Sequence, residues 1–151
     1  MLKNEIPADV IADLETKFRH ISTLIKQYGR KILRNYPITS AQFIALQWFI
    51  EEDDVTIGEL SNKIGLAYST TTDLVDRMEK NELVKRVKDP KDRRVVRIRV
   101  LHKGETIIRE VIQKREDYLA KVLEKFSLQQ TMTLSELLSL LQDQMNSIKE
   151  K

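Results

Sequence analysis

Residues 68–99 change hydrophobic period in mid-course, and that change constrains the fold more than any other feature of the chain. Leu74, Val75 and Met78 mark the apolar face of a helix that opens Tyr68-Ser69-Thr70-Thr71-Thr72-Asp73 and runs to Asn81. The spacing then shortens towards two. Leu83-Val84-Lys85-Arg86-Val87-Lys88 and Val95-Val96-Arg97-Ile98-Arg99-Val100 read as strands around the tip Asp89-Pro90-Lys91-Asp92-Arg93-Arg94. Val96, Ile98 and Val100 share one face of the second strand, and Arg97 and Arg99 the other; the first strand alternates too weakly to assign faces. Arg97 and Arg99 are expected to coat the strand or meet phosphate. Residues 85–99 hold eight Lys/Arg against two Asp, a local net of +6 in a chain of net +3, so the other 136 residues sum to −3. Charge this concentrated points to a polyanionic partner. Short hydroxyls at a helix start can reach base edges and phosphates, and arginines on a hairpin tip can enter a groove.

The segment before this helix supplies its partner. Thr39 with Gln42 and Thr56 with Glu59 have capping-box spacing. The first opens a helix with Phe43, Leu46, Trp48, Phe49 and Ile50, apolar on most of its circumference and so expected to be central. Glu51-Glu52-Asp53-Asp54 reads as a polar loop after it. The second opens a short helix with Ile57, Leu60 and Ile64, closed by Gly65 as a C-cap. Two short helices joined by a tight Gly-containing turn make a helix-turn-helix, and its second member carries the hydroxyl-rich start.

Long helices bracket this centre. Between Pro7 and Pro37, Ile11, Leu14, Phe18, Ile21, Ile25, Tyr28 and Ile32 are spaced 3-4-3-4-3-4, a heptad seam that suits a second helix. Gly29 beside it permits close approach or a bend. A helical region from near Lys103 carries Ile107, Ile108, Val111, Ile112, Leu119, Val122, Leu123 and Phe126. Ser127 with Gln130 repeats the capping spacing ahead of Leu134, Leu138, Leu141, Met145 and Ile148. That is more apolar stripe than one small monomer hides, and dimerisation is the economical explanation. Trp48 and Tyr28 are expected in the core or the dimer interface.

Composition narrows the function. No run approaches the roughly 18 apolar residues of a membrane span, and the N-terminus lacks a signal-peptide stretch, so a cytoplasmic protein without membrane partner is expected. The absence of cysteine removes disulfides, a thiolate nucleophile and a thiol redox switch. Four glycines form no phosphate-cradling loop and no Ser-His-Asp or Cys-His arrangement is present, so no enzyme and no cofactor is expected. His20 and His102 lie far apart without ligand spacing, and no metal site is expected.

The order of helix, helix, helix-turn-helix, two-stranded wing, helix, helix resembles the MarR family of winged helix-turn-helix regulators. The resemblance spans roughly residues 9–148. It is carried by Ile38-Thr39-Ser40-Ala41-Gln42-Phe43, Leu74-Val75-Asp76-Arg77-Met78-Glu79-Lys80, Leu83-Val84-Lys85-Arg86 and Asp89-Pro90-Lys91-Asp92-Arg93-Arg94. It implies a mainly α fold with a small two- to three-stranded β wing. A single domain over 1–151 is expected, with dimerisation helices at 9–36 and 103–148 around a DNA-binding lobe at 38–101. The resemblance further implies a homodimeric, ligand-responsive repressor on a pseudopalindromic double-stranded DNA operator. A small lipophilic or phenolic ligand would lodge between the dimer helices and the DNA-binding lobe. Ser69, Thr70, Thr72 and Arg77 would contact DNA from the recognition helix, and Lys91, Asp92, Arg93 and Arg94 from the wing. Arg94 would enter the minor groove, whose narrow form favours inserted arginine, and Asp92 would steady it through an ion pair.

Three positions depart from the family pattern. Glu82 stands where glycine is usual, with Asn81 expected to take the left-handed conformation instead. Ala67 replaces a capping serine, and Leu101 a threonine. Asp73, an acid in the first turn of the recognition helix, is expected to orient a neighbour or read cytosine. Two other readings stay open: a winged-helix module that binds protein rather than DNA, and a metal-responsive regulator of the same fold.

Overall fold

A computed structural model describes residues 5–52 and 54–149; Asp53 of the acidic loop lies outside the described residues. The elements run α1 (Ala8–Leu33), α2 (Ser40–Glu51), α3 (Ile57–Ile64), α4 (Tyr68–Lys80), β1 (Val84–Lys88), β2 (Val96–Val100), α5 (His102–Val122), one 3₁₀ turn (Leu123–Lys125) and α6 (Leu128–Lys149). The chain divides after Ile112 into two compact units, with α5 crossing the division.

Local chemistry sets the ends of the elements in the first unit. Pro7 precedes α1 without a side-chain cap, and its carbonyl accepts from the Val10 and Ile11 N–H groups. Thr39 and Gln42 form a complete capping box, each side chain accepting from the other's backbone N–H at 3.1 Å. Thr56 makes only half of one. Its hydroxyl accepts from Glu59 N–H at 3.2 Å, but the Glu59 carboxylate accepts a hydrogen bond from the Thr56 hydroxyl rather than from the backbone. Gly65 ends α3 at φ +69, where a side chain would be strained. Leu66 N–H then bonds back to Ser61 O, so only Gly65, Leu66 and Ala67 separate α3 from α4.

The end of α4 corrects one expectation. Asn81 stays right-handed at φ −87, and Glu82 itself takes the left-handed conformation at φ +61. The backbone bonds explain it: Glu82 N–H reaches Glu79 O and Leu83 N–H reaches Met78 O, the pattern that closes a helix one residue past its cap. A non-glycine residue there costs about 1–2 kcal/mol of backbone strain.

β1 and β2 pair antiparallel from Val84↔Val100 to Lys88↔Val96. On the outer edge of β2, Arg97 forms a single bridge with Thr56 and Ile98 N–H bonds to Val55 O. The wing is thus two full strands plus one bridging segment from the α2–α3 loop. Phe43, Leu46, Leu60, Val75, Met78, Leu83, Val84 and Val111 form the innermost core, with Ile98 beside them. This core joins α2, α3, α4, the hairpin and α5, so the wing is packed rather than pendant. α2 is less central than its composition suggests, because Ile44 and Ile50 are exposed. Along α1 the seam is covered only at its C-terminal end, where Ile32 is buried and Tyr28 half-buried.

In the second unit, Ser127 and Gln130 cap α6 reciprocally at 3.0 Å, as their spacing predicts. None of the residues of α6 is buried. Among the described residues, no helix is long and apolar enough to cross a membrane.

Candidate nucleic-acid interface

The buried stripe of α4, Thr71, Val75 and Met78, decides what its other side presents. At 100° per residue, Ser69, Thr70, Asp73, Asp76, Arg77 and Lys80 fall within an arc of about 120° on the opposite side, and all six are exposed. Thr72 lies at the margin of this face, half-buried. The hydroxyls differ in availability. Thr72 donates to Tyr68 O and Thr71 to Ala67 O, both at 3.0 Å, so their protons are engaged on the helix. Ser69 and Thr70 have no such bond among the described residues. Tyr68, exposed at the helix start, is a further candidate that sequence reasoning did not weigh.

Carboxylates on this helix would repel phosphate, and two of the three share one cation from the wing, which offsets half of their charge. Arg86 on β1 pairs with Asp76 and with Glu79, the latter at 2.9 Å, and Glu79 also accepts from the Arg86 backbone N–H at 2.8 Å. Partial burial opposes the charge of Arg86, but the hydrogen bonds it donates to Asp76 and Glu79 outweigh that and hold its pKa above the ordinary value. Arg86 therefore pins the recognition helix to the hairpin and is spent as a free cation. Asp73 is exposed and has no partner among the described residues.

The hairpin tip is built around Asp89. Its Oδ1 accepts from Lys91 N–H at 2.7 Å and Asp92 N–H at 3.2 Å, and its Oδ2 from Arg97 Nε at 3.0 Å. Asp89 N–H and Val95 O close the strands at 3.0 Å. The Lys91 amide first, then the Arg97 guanidinium, hold the Asp89 carboxyl below the usual carboxylate range. Beyond it, Asp92 Oδ1 accepts both the backbone N–H of Arg94, at 3.0 Å, and its Nε, at 3.2 Å. The Arg94 side chain is 92% exposed, so this pair orients the guanidinium at little net energy, about 0–1 kcal/mol. Lys91 and Arg93 are exposed beside it.

Arg97 corrects a second expectation. It does not coat the strand: Nε is held by Asp89, and Nη1 donates to Asp54 O at 2.7 Å. Of the eight cations in the basic segment, Arg86 and Arg97 are thus tied into the fold. Lys85, Lys88, Lys91, Arg93, Arg94 and Arg99 are exposed, and of these only Arg94 has an ion pair among the described residues. The partners Glu79, Asp89 and Asp54 were invisible to sequence reasoning because nothing in their spacing announces them. Their pairings depend on how α4, the α2–α3 loop and the hairpin fold together.

Known proteins share this arrangement. The MarR family model matches residues 38–96, which span the helix-turn-helix and most of the hairpin. An uncharacterized HTH-type transcriptional regulator of Bacillus subtilis (strain 168), YsmB, is 55% identical over 139 residues, 92% of this chain and 95% of that protein. The structure of a MarR family protein from Bacillus stearothermophilus matches with a TM-score of 0.90 at 54% identity, over 94% of this chain and 99% of that one. A transcriptional regulator from Thermotoga maritima matches with a TM-score of 0.73 at 35% identity, over 93% and 99% of the two chains. With more than half of its residues identical to such relatives along nearly its whole length, the chain belongs to the MarR family of DNA-binding helix-turn-helix transcriptional regulators.

Proposed function

We propose that the protein acts as a homodimeric, ligand-responsive repressor that binds a pseudopalindromic operator. In this reading Ser69, Thr70, Thr72 and Arg77 face the major groove, while Lys91, Asp92, Arg93 and Arg94 form a wing that reaches the minor groove. The observation that carries it is the segregation of charge: six exposed cations lie on one hairpin, while Asp76 and Glu79 of the adjoining helix are paired with Arg86. The dimer is supported by exposed apolar residues along two helices, Ile11, Leu14, Phe18, Ile21 and Ile25 of α1 and Leu138, Met145 and Ile148 of α6. A two-fold dimer would place two such surfaces on successive turns of one duplex face.

A cleft of about 450 Å³ supports the ligand response. Its wall mixes the apolar side chains of Phe49, Ile50 and Ile108 with the charged Asp54, Arg99, Glu105 and Arg109, which suits a phenolic compound with a polar group better than a wholly lipophilic one. Such a compound releases DNA only if it binds the two dimer arrangements with different affinity.

Titration of a duplex enriched on the protein from a random-sequence pool tests the DNA reading. With about six to ten phosphate contacts, affinity falls by ~10³ or more between 50 and 200 mM salt. Arg94→Ala lowers affinity by roughly 1–3 kcal/mol while leaving the fold intact. Salt-insensitive binding, or an Arg94→Ala protein that binds like wild type, contradicts the wing assignment.

A further inference from the structure

One chain of contacts links the two parts of the molecule that would read DNA. It starts at Asp54, in the loop that leads into the helix-turn-helix, where a non-glycine residue is held at φ +59. The Asp54 carbonyl accepts from Arg97 Nη1 at 2.7 Å. Arg97 Nε donates to Asp89 Oδ2 at 3.0 Å, and Asp89 Oδ1 takes the backbone N–H groups of Lys91 and Asp92. Asp92 in turn holds Arg94. The inner members are shielded, with side-chain exposures of 16% for Asp89 and 34% for Arg97, whereas Arg94 at the end stands in solvent.

We propose that Asp89, Arg97 and the Asp54 carbonyl form a latch that sets the wing tip in register with the helix-turn-helix, making Asp89 and Arg97 positioning residues for DNA recognition. Arg97 commits Nε and one Nη1 proton within the protein, and Asp89 is an acid, so both act first on the fold rather than as free charge. The latch fixes the backbone of Lys91 and Asp92 before DNA arrives, so the wing does not have to be ordered on binding. It differs from the Asp92–Arg94 pair, which orients one side chain at the tip. The latch places the whole tip relative to the loop entering α3, and only a planar fork spans its two acceptors. A lysine ammonium carries the same charge without that geometry.

The inference rests on the wing entering DNA as described above, and one charge-removing and one charge-conserving variant separate it from that reading. Asp89→Asn removes a negative charge from a basic surface, so simple electrostatics predicts tighter binding to every duplex. The latch predicts the opposite on the enriched duplex: a loss of roughly tenfold, of the size expected for a charge-assisted hydrogen bond, with no loss on an unrelated duplex. Arg97→Lys shows the same selective loss at unchanged net charge. In the free protein, amide exchange at Lys91 and Asp92 accelerates in Arg97→Lys, while the amides of α2 and α5 keep wild-type protection. Asp89→Asn that tightens both duplexes alike, or Arg97→Lys that discriminates between them like wild type, overturns the latch. Unchanged exchange at Lys91 and Asp92 overturns it without reference to DNA. Failure of the DNA reading itself appears separately, as absence of discrimination in the wild-type protein.

Discussion

Gly104 lies in the first turn of α5 and is buried against the root of the wing. A methyl group built there would sit 2.6 Å from Leu83 O, 3.0 Å from Val100 Cγ1 and 3.2 Å from Leu46 Cδ2. The first neighbour is backbone, and the Leu83 carbonyl also accepts from Leu101 N–H at 2.9 Å, where β2 runs into α5. Making room for alanine therefore moves α5 or the start of β1, and with it the register of the hairpin. Because the nearest atom is backbone at 2.6 Å, overpacking costs about 2–3 kcal/mol, the upper part of its usual range, against about 1 kcal/mol gained by replacing glycine in a helix. The expected net loss for Gly104→Ala is about 1–2 kcal/mol, a fall in Tm of about 2–8 °C for a chain of this size. Circular dichroism melts at one fixed protein concentration read it, since the proposed dimer would make Tm concentration-dependent. Gly58→Ala in α3 is the internal control. Its methyl would meet only Thr56 Oγ1 at 4.0 Å, so stability should rise by about 0.5 kcal/mol. A Gly104→Ala protein as stable as wild type, or stabilised alongside Gly58→Ala, refutes the packing argument.

Three other perturbations probe different levels of the structure. Glu79→Gln leaves Arg86 with Asp76 alone; because both partners are partly exposed, the loss should be about 1 kcal/mol, read as a lower urea midpoint, and an unchanged midpoint counts against the pin. Ile21→Glu puts a charge in the exposed α1 seam, so sedimentation at micromolar concentration should shift from dimer to monomer, and a persisting dimer removes α1 from the interface. The lowered Asp89 pKa makes its stabilising contribution complete above the ordinary aspartate value of about 3.9 and lost as pH falls towards the lower folded value. The Lys91 amide resonance should therefore hold still from neutral pH to about 4.5 and move only below the ordinary value; a midpoint above it contradicts the assignment.

The parts of this fold that were legible in sequence are those whose physics is local. Thr39–Gln42 and Ser127–Gln130 cap helices because the partners are three residues apart, and Gly65 ends α3 because only one dihedral has to be satisfied. The period-two run of β2 places Ile98 in the core and Arg99 in solvent for the same reason. Glu82 escaped because the position of the left-handed residue depends on which carbonyl Leu83 N–H can reach, and that depends on where β1 packs. Arg86 and Arg97 escaped for a stronger reason. Each looks like a generic member of a basic cluster, and each is removed from it by acceptors, Glu79 and Asp54, that only the tertiary fold brings within reach. In α2, composition suggested a central helix, yet Ile44 and Ile50 remain exposed, because the lobe covers only part of its circumference.

The net charge of +6 on residues 85–99 therefore overstates what is available to DNA and understates what the segment does. Counterion release depends on cations that can approach phosphate. Arg86 and Arg97 are instead half-buried and held by bonds to Asp76, Glu79, Asp89 and Asp54 that the free protein already makes. Spending two of eight cations inside the fold lowers non-specific attraction. It also joins the recognition helix to β1 and the wing tip to the loop before α3. Affinity from loose charge is the same for every sequence, whereas contacts that must be met at once by helix and wing discriminate between sequences. Arginine rather than lysine at 86 and 97 follows from this division, since each bridges two acceptors at fixed angles, while lysine suffices at 85, 88 and 91, where only charge is presented.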